Sequence, residues 1–185
     1  MVGAEPSFNE VHLLRTLYTL ESDAVGRKKL VKILGLGEGS VRTIIKKLTA
    51  EGLIASSKKG HSLTIKGKKA VAEKLKIISR PCKFDTGGLV VGPQSLVIVT
   101  NGASSACNAV HLRDTALKAG ADGAIIFSYD GSIKLPGLEL DDYPRTIERL
   151  NSLNLRHGDA IIIGFASTLQ KAEDGAVSAA LKMIH

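Results

Sequence analysis

The stretch GEGSVRTIIKKLTAEGLIASSKKGHSLTIKGKK, residues 37–69, constrains the fold more than any other part of the chain. Four of its apolar residues recur at helical spacing and form one inward stripe: Val41, Ile44, Ile45 and Leu48. After Gly52 come two short strand patterns, LIAS and SLTI. A basic turn from Ser57 to His61 joins them, and its Gly60 supplies a backbone angle that other residues avoid. The stretch therefore predicts a helix followed by a β-hairpin.

Two further amphipathic helices are predicted before this one. Ser7 with Glu10 three residues later is typical of a capping box, so a first helix is expected over about 7–21. The segment GRKKLVKIL gives the second, and Gly35 follows it where a left-handed cap residue is expected. Three helices and a hairpin predict a winged helix-turn-helix.

The outward side of the third helix is basic and suits double-stranded DNA. Arginine and threonine on such a helix can reach base edges in the major groove, while lysines contact phosphates and the hairpin lies alongside. The competing interpretation is that these side chains only solvate the helix. The predicted DNA contacts are Ser40, Arg42, Thr43, Lys46, Lys47, Lys58, Lys59 and His61.

Charge is distributed unevenly along the chain. Residues 1–80 contain 16 Lys and Arg against 7 Asp and Glu, a net charge of +9, whereas residues 81–185 contain 9 against 11, a net charge of −2. An excess of this size favours a polyanionic partner for the first part alone, either nucleic acid or an acidic membrane surface.

The cysteines and the apolar runs of the sequence indicate the cellular compartment of the protein. Cys82 and Cys107 form no Cys-x-x-Cys pair, and no secretory stretch opens the chain. The apolar runs are too short to span a bilayer. A cytoplasmic protein with no membrane association is predicted.

The first part also resembles a known family. GRKKLVKILGLGEGSVRTIIKKLTAEGLI, followed by LTIKGKK, is similar to the winged-helix domain of prokaryotic transcriptional regulators. That family often has Ser or Thr where this chain has Gly37, which leaves the first residue of the third helix open by one or two. In such regulators a segment like GKKAVAEKLKII, residues 67–78, forms a helix that links domains or pairs subunits.

A domain boundary is predicted between Arg80 and Pro81, because proline disfavours helix at the preceding residue. Residues 1–80 then form the winged-helix domain with its linker helix. Residues 81–185 form a second domain in which strand and helix patterns alternate. Strands are expected at 95–100, 123–137 with an Asp-Gly turn, and 159–166, and helices at 108–120, 143–153 and 172–184.

The predicted second domain is a small α/β domain with a mixed sheet, in which two parallel strands flank the first helix. Ligands of open α/β sheets bind beyond the carboxyl ends of the strands, where TNGASS (100–105) and GFAST (164–168) are expected. Small residues before a helix let amides and hydroxyls converge on an anion, although such a turn is more often only a helix cap. The predicted ligand-binding residues are Asn101, Gly102, Ser104, Ser105 and Arg113.

Spacing nominates no metal, cofactor or catalytic set. Cys107 and His111 lie four residues apart, but no further ligands stand nearby. Arg113 next to Asp114 is also compatible with a simple surface ion pair on a helix. No enzymatic activity is therefore predicted, although catalytic groups can lie far apart in sequence.

The second half resembles the C-terminal region of archaeal winged-helix proteins whose second domain is of unknown function, through LRDTALKAGADGAIIF, DGSIKLPG and GDAIIIGFAS. The whole chain is thus expected to be a two-domain α+β and α/β transcriptional regulator that binds DNA as a homodimer. Its second domain would sense a small-molecule effector or pair subunits. Two alternatives stay open: an enzyme with an appended winged helix, and a winged helix that docks proteins.

Overall fold

The structure is a computed structural model that describes residues 8–89, 92–104, 108–135 and 137–184. The chain divides into two compact units, residues 1–75 (unit 1) and residues 76–185 (unit 2). Each unit combines helices with a β-sheet, and the described residues contain seven helices and two sheets. Three residues used in the predictions above, Ser7, Ser105 and Cys107, lie outside the described residues.

Unit 1 consists of three helices, a two-stranded antiparallel hairpin and a fourth helix. The bounds are α1 Glu10–Thr19, α2 Arg27–Leu34, α3 Glu38–Ala50, β1 Ile54–Ser57, β2 Gly60–Leu63 and α4 Ile65–Leu75. The predicted stripe of α3 is inward, since Val41, Ile44 and Leu48 are at most 1% exposed. The first helix begins after its N-cap residue Asn9, whose amide donates to Nδ1 of His12 at 3.2 Å, whereas the predicted start at Ser7 lies outside the described residues.

The hairpin of unit 1 has a tighter turn than the five-residue tip predicted from the sequence. Ser57 pairs with Gly60, so only Lys58 and Lys59 lie between the strands. Gly60 has a φ of +127°, which lets the chain reverse within two residues. Val25, ahead of α2, pairs with His61 through N–H to O bonds of 2.9 and 3.0 Å, so it fastens the hairpin to the helices.

We predict that Gly60→Ala destabilises unit 1 by about 2 kcal/mol or more. A Cβ at this position would lie 2.7 Å from the carbonyl carbon of Val25, and the positive φ strains any L side chain. The matched control is Gly39→Ala in α3, where a Cβ meets nothing within 4 Å and helix propensity improves. Urea unfolding followed by circular dichroism checks both changes, and equal stabilities would contradict the prediction.

Unit 2 contains one five-stranded sheet with three helices. Its elements are β3 Cys82–Lys83, β4 Gln94–Thr100, α5 Ala109–Lys118, β5 Gly123–Tyr129, β6 Ile133–Lys134, α6 Pro144–Asn151, β7 Asp159–Ala166 and α7 Leu169–Met183. The strand order is β3-β4-β7-β5-β6, and every strand pair among the described residues is antiparallel.

The predicted mixed sheet is not observed, because every strand pair among the described residues of unit 2 is antiparallel. Strands β4 and β5 do run in the same direction, but β7 lies between them and is antiparallel to both. The physical reason lies in the residues of β7, of which all but Phe165 are buried. A strand so apolar is stable only where both of its faces are covered, at the centre of the sheet.

Helices cover both faces of this central strand. On one face, Gly164 of β7 lies against Ala172 and Ala176 of α7, so a glycine and two alanines bring the helix close to the sheet. On the other face, Leu150 of α6 packs in a cluster with Ile161 and other buried residues. Unit 2 therefore has a core on each side of its sheet.

The division between the units lies five residues before the boundary predicted at Arg80 and Pro81. Helix α4 ends at Leu75, and residues 77–79 are hydrogen-bonded to residues 99–101 at the end of β4 in unit 2. The Ser79 amide donates to the Val99 carbonyl at 2.8 Å, and the Asn101 amide donates to the Ile77 carbonyl at 2.8 Å. These backbone bonds, which no local pattern reveals, assign the segment to unit 2.

Candidate nucleic-acid interface

The outward side of α3 presents a basic surface. Arg42, Thr43, Lys46 and Lys47 are exposed, and Ser40 is half-buried. Within the part of the chain that the structure describes, no carboxylate pairs with Arg42, Lys46 or Lys47. The hydroxyl of Thr43 donates to the Gly39 carbonyl at 3.0 Å, which leaves its oxygen lone pairs as acceptors. The cationic groups of α3 are therefore available to an anionic partner.

The sequence around α3 fixes this orientation. Apolar residues at i, i+3 and i+7 anchor one side, so the residues between them must point outward. Gly35 caps helix α2 with a φ of 64°, and its amide donates to the Val31 carbonyl at 2.9 Å. Only residues 35–37 separate α2 from α3, so the angle between the two helices is set by a short turn.

The hairpin turn adds two more cations. Lys58 and Lys59 are exposed at the tip, where the Lys59 amide donates to Oγ of Ser57 at 3.2 Å. The Ser57 hydroxyl donates in turn to the Gly60 carbonyl at 3.2 Å. The two lysines therefore project from a turn whose backbone is held by its own hydrogen bonds.

His61 lies in β2 beside the turn and not at its tip. Its ring is half-buried, with Nδ1 at 2.9 Å from Oγ of Ser56. Burial lowers the pKa of His61 below 6.5, and the nearby charge of Arg27 lowers it further. The neutral form of the imidazole therefore predominates at pH 7, and His61 adds little charge to this surface. Arg27, which the sequence reading did not select, is the first residue of the basic run that opens α2.

The predicted ligand loop of unit 2 uses its backbone amides internally. The Gly102 amide donates to Oδ1 of Asp159 at 3.0 Å, and the Ser104 amide donates to the Gly158 carbonyl at 2.8 Å. The Asn101 side chain donates to the Lys76 carbonyl at 2.7 Å. These donors are thus directed into the fold rather than toward an open anion site.

Asp159 is the residue that organises this loop, and sequence reasoning missed it. Its carboxylate is 2% exposed and also accepts from the Arg156 amide at 2.8 Å. The signal was a single acidic residue opening the most apolar strand of the chain. Such a buried carboxylate needs hydrogen-bond donors, and here backbone amides supply them.

The remaining predicted ligand positions are not brought together. Because β7 is antiparallel to β4, residues 100–104 and 164–168 lie at opposite ends of the sheet. Arg113 lies on the exposed side of α5 and forms a 3.1 Å ion pair with Asp114.

A separate open cavity of about 450 Å³ lies at β3 and β4, beside Lys83, Asp85 and Gln94. No group of three potential metal ligands occurs among the described residues.

Asp85 at that cavity already has partners. The Gly87 amide lowers its pKa most, and the guanidinium of Arg149, 2.5 Å from Oδ2, lowers it further. The carboxylate is therefore ionised and paired with Arg149 at neutral pH.

Along the described ranges, no helix is long and apolar enough to cross a membrane.

Comparison with known proteins identifies relatives of both units. Residues 12–77 match the PH0730-like N-terminal domain, and residues 90–183 match a domain of unknown function, DUF4443. Among solved structures, the chain is similar to hypothetical protein PH0730 from Pyrococcus horikoshii OT3, with 32% sequence identity and a TM-score of 0.80. That similarity covers 95% of this chain and 92% of the other. No curated protein matches the chain.

The two matched domains occur in the same order in which unit 1 and unit 2 follow each other along the chain. The similarity to the archaeal protein extends over nearly the full length of both chains. The chain therefore belongs to the PH0730-like family of archaeal two-domain proteins.

Proposed function

We propose that the chain is a DNA-binding transcriptional regulator whose unit 1 is a winged helix-turn-helix. The order of elements in unit 1 supports this proposal: α1 is followed by Val25, which pairs with the hairpin, and then by α2, α3 and the hairpin itself. In this arrangement α2 and α3 form the helix-turn-helix, and the hairpin is the wing. The observation that carries the proposal is the exposed basic side of α3, which has no intramolecular carboxylate partner for its three cations among the described residues.

The dimensions of α3 suit the major groove of duplex DNA. Its 13 residues extend over about 20 Å, and the groove of roughly 12 Å width admits one helix. In this pose Arg42 and Thr43, on the first half of α3, face the base edges. Lys46 and Lys47 follow one turn later, where they reach phosphates and fix the position of the helix.

The wing supplies phosphate contacts beside the groove. Lys58 and Lys59 stand on a two-residue turn, and the hairpin is tied to the helices through the pairing of Val25 with His61. A short, fixed turn loses little conformational entropy when it meets the DNA backbone, so both lysines contribute to affinity. Neither lysine reads sequence in this pose.

Unit 2 is proposed to pair two copies of the chain. Its predicted ligand loop has its amide donors bonded within the fold, which favours this role over the sensing of a small anion there. Two copies place two α3 helices on successive half-sites, and the recognised DNA then has two-fold symmetry.

Fluorescence anisotropy with a labelled random-sequence duplex tests this function. The proposed pose has four phosphate contacts, made by Lys46, Lys47, Lys58 and Lys59. We therefore expect the logarithm of the association constant to fall with the logarithm of the salt concentration, with a slope of about −3.6 per bound copy. A chain that does not bind at low salt, or that binds without salt dependence, contradicts the proposal.

Replacing Lys58 and Lys59 by glutamine is expected to reduce that slope by about 1.8, because two phosphate contacts are lost. The preference among DNA sequences should not change, since phosphate contacts carry no sequence information. The matched control is Lys118→Gln with Lys182→Gln, two exposed lysines of unit 2. An equal loss in both double variants would show that only net charge matters.

A further inference from the structure

Helix α5 carries four exposed side chains in one stripe, outside the face that buries Leu112 and Ala116. The two apolar members are exposed, Val110 to 60% and Leu117 to 43%. Between them lies the Arg113–Asp114 ion pair, with side chains 52% and 47% exposed. Exposed apolar surface that is contiguous and rimmed by polar groups marks interaction sites, and Val110 adjoins Leu135 and Leu138 in one groove.

The stripe is complementary to itself. Its members are Val110, Arg113, Asp114 and Leu117, at positions i, i+3, i+4 and i+7 of the helix. This spacing is symmetric about the point between Arg113 and Asp114. A second α5 running antiparallel across a two-fold axis at that point sets Val110 against Leu117 of the second copy. The same axis sets Arg113 against Asp114 of the second copy, and each contact occurs twice.

We propose that the chain pairs with a second copy of itself through antiparallel contact of the two α5 helices. The charge pattern identifies this occupant. An acidic or a basic partner would match only one member of the Arg113–Asp114 pair and repel the other. A second copy related by a two-fold axis matches both members and leaves no net charge in the interface.

The contact extends into a groove beside the stripe. This groove, of about 210 Å³, lies between α5, residues 124–126 of β5, and the side chains of Leu135 and Leu138. Strand β6 pairs with β5 only at Ser128 and Tyr129, so no described strand covers the outer edge of residues 123–127. Exposed strand edges beside apolar residues are normally covered in a native assembly.

A stable dimer must bury more area than the α5 stripe alone provides, so the groove is expected to be part of the interface. Stable interfaces bury roughly 1,200 Å² or more in total, and two turns of one helix from each copy fall short of that. Leu138, 40% exposed at the rim of the groove, adds apolar surface on the same side as Val110. The interface thus consists of the α5 stripe and this groove from each copy.

Sedimentation equilibrium from about 1 to about 100 μM, without DNA, tests the interface. Arg113→Asp sets two pairs of aspartates against each other and is expected to raise the dimer dissociation constant at least roughly tenfold. Combining Arg113→Asp with Asp114→Arg restores opposite charges across the axis, so the dimer should return. Lys118→Glu, on α5 but outside the stripe, is the control and should leave the dimer unchanged.

Three results overturn the proposal: a wild-type chain that stays monomeric throughout, a dimer that Arg113→Asp does not weaken, or a double charge swap that fails to restore it. Leu117→Ser probes the same contact without a charge change and should weaken the dimer as well. The interface serves the proposed DNA-binding function, but its test is independent of DNA. A monomer that binds duplexes with the expected salt slope refutes the interface and the pairing role of unit 2 but not DNA binding, and a dimer without DNA affinity refutes DNA binding alone.

Discussion

Replacing Arg42 and Lys46 of α3 together by alanine is expected to weaken binding to duplex DNA by roughly 100-fold at fixed salt. Arg42 loses a base contact, and Lys46 loses a phosphate contact in the proposed pose. Both side chains are exposed, and alanine is a good helix former, so the fold of unit 1 should be unaffected. Fluorescence anisotropy on one duplex at several salt concentrations measures the loss.

The control for this variant removes the same charge elsewhere. Lys118→Ala with Lys182→Ala deletes two exposed cations of unit 2 and should change duplex affinity by a few-fold at most. Circular dichroism of both variants checks that they remain folded. If the α3 variant binds as tightly as the control, α3 is not the DNA-contacting element.

Gly164→Val is expected to destabilise unit 2 by about 3 kcal/mol or more, the largest stability effect that we predict. A Cβ at residue 164 of β7 would lie 2.6 Å from the Ala172 carbonyl oxygen and 2.8 Å from Cβ of Ala176. Strand β7 is the centre of the sheet, so neither the strand nor α7 can move away without disturbing its other neighbours.

Urea unfolding at constant pH measures this effect, and Ile163→Val on the same strand is the control. The control deletes one methylene from a fully buried side chain and should cost about 1 kcal/mol. If Gly164→Val proves no more destabilising than the control, α7 does not pack against β7 as closely as described.

The helices of unit 1 were predictable because their signals are local. Apolar spacing identified the buried side of α3, and Gly35 marked the end of α2 where the left-handed cap is found. The hairpin turn was predicted too long, because the sequence does not say how sharply Gly60 turns. The pairing of Val25 with His61 joins residues 36 positions apart in sequence, and no local pattern encodes it.

The sheet of unit 2 was predicted less well, for the same physical reason. Residue patterns located the strands, and β7 was expected at 159–166, where it is found. Strand order depends on which strand must be covered on both faces. Because β7 lies between β4 and β5, the sheet is antiparallel instead of mixed. The antiparallel pairing places Thr100 and Ala166 at opposite ends of the sheet and brings the Gly102 amide to Asp159.

Dimethyl sulfate protection of guanine N7 in a duplex selected for binding reports whether α3 enters the major groove, because N7 lies in that groove. We expect the wild-type chain to protect guanine N7 atoms in a discrete major-groove segment, and Arg42→Ala to remove protection there. Bound DNA in which no N7 is protected, or protection unchanged by Arg42→Ala, would show that α3 does not enter the major groove.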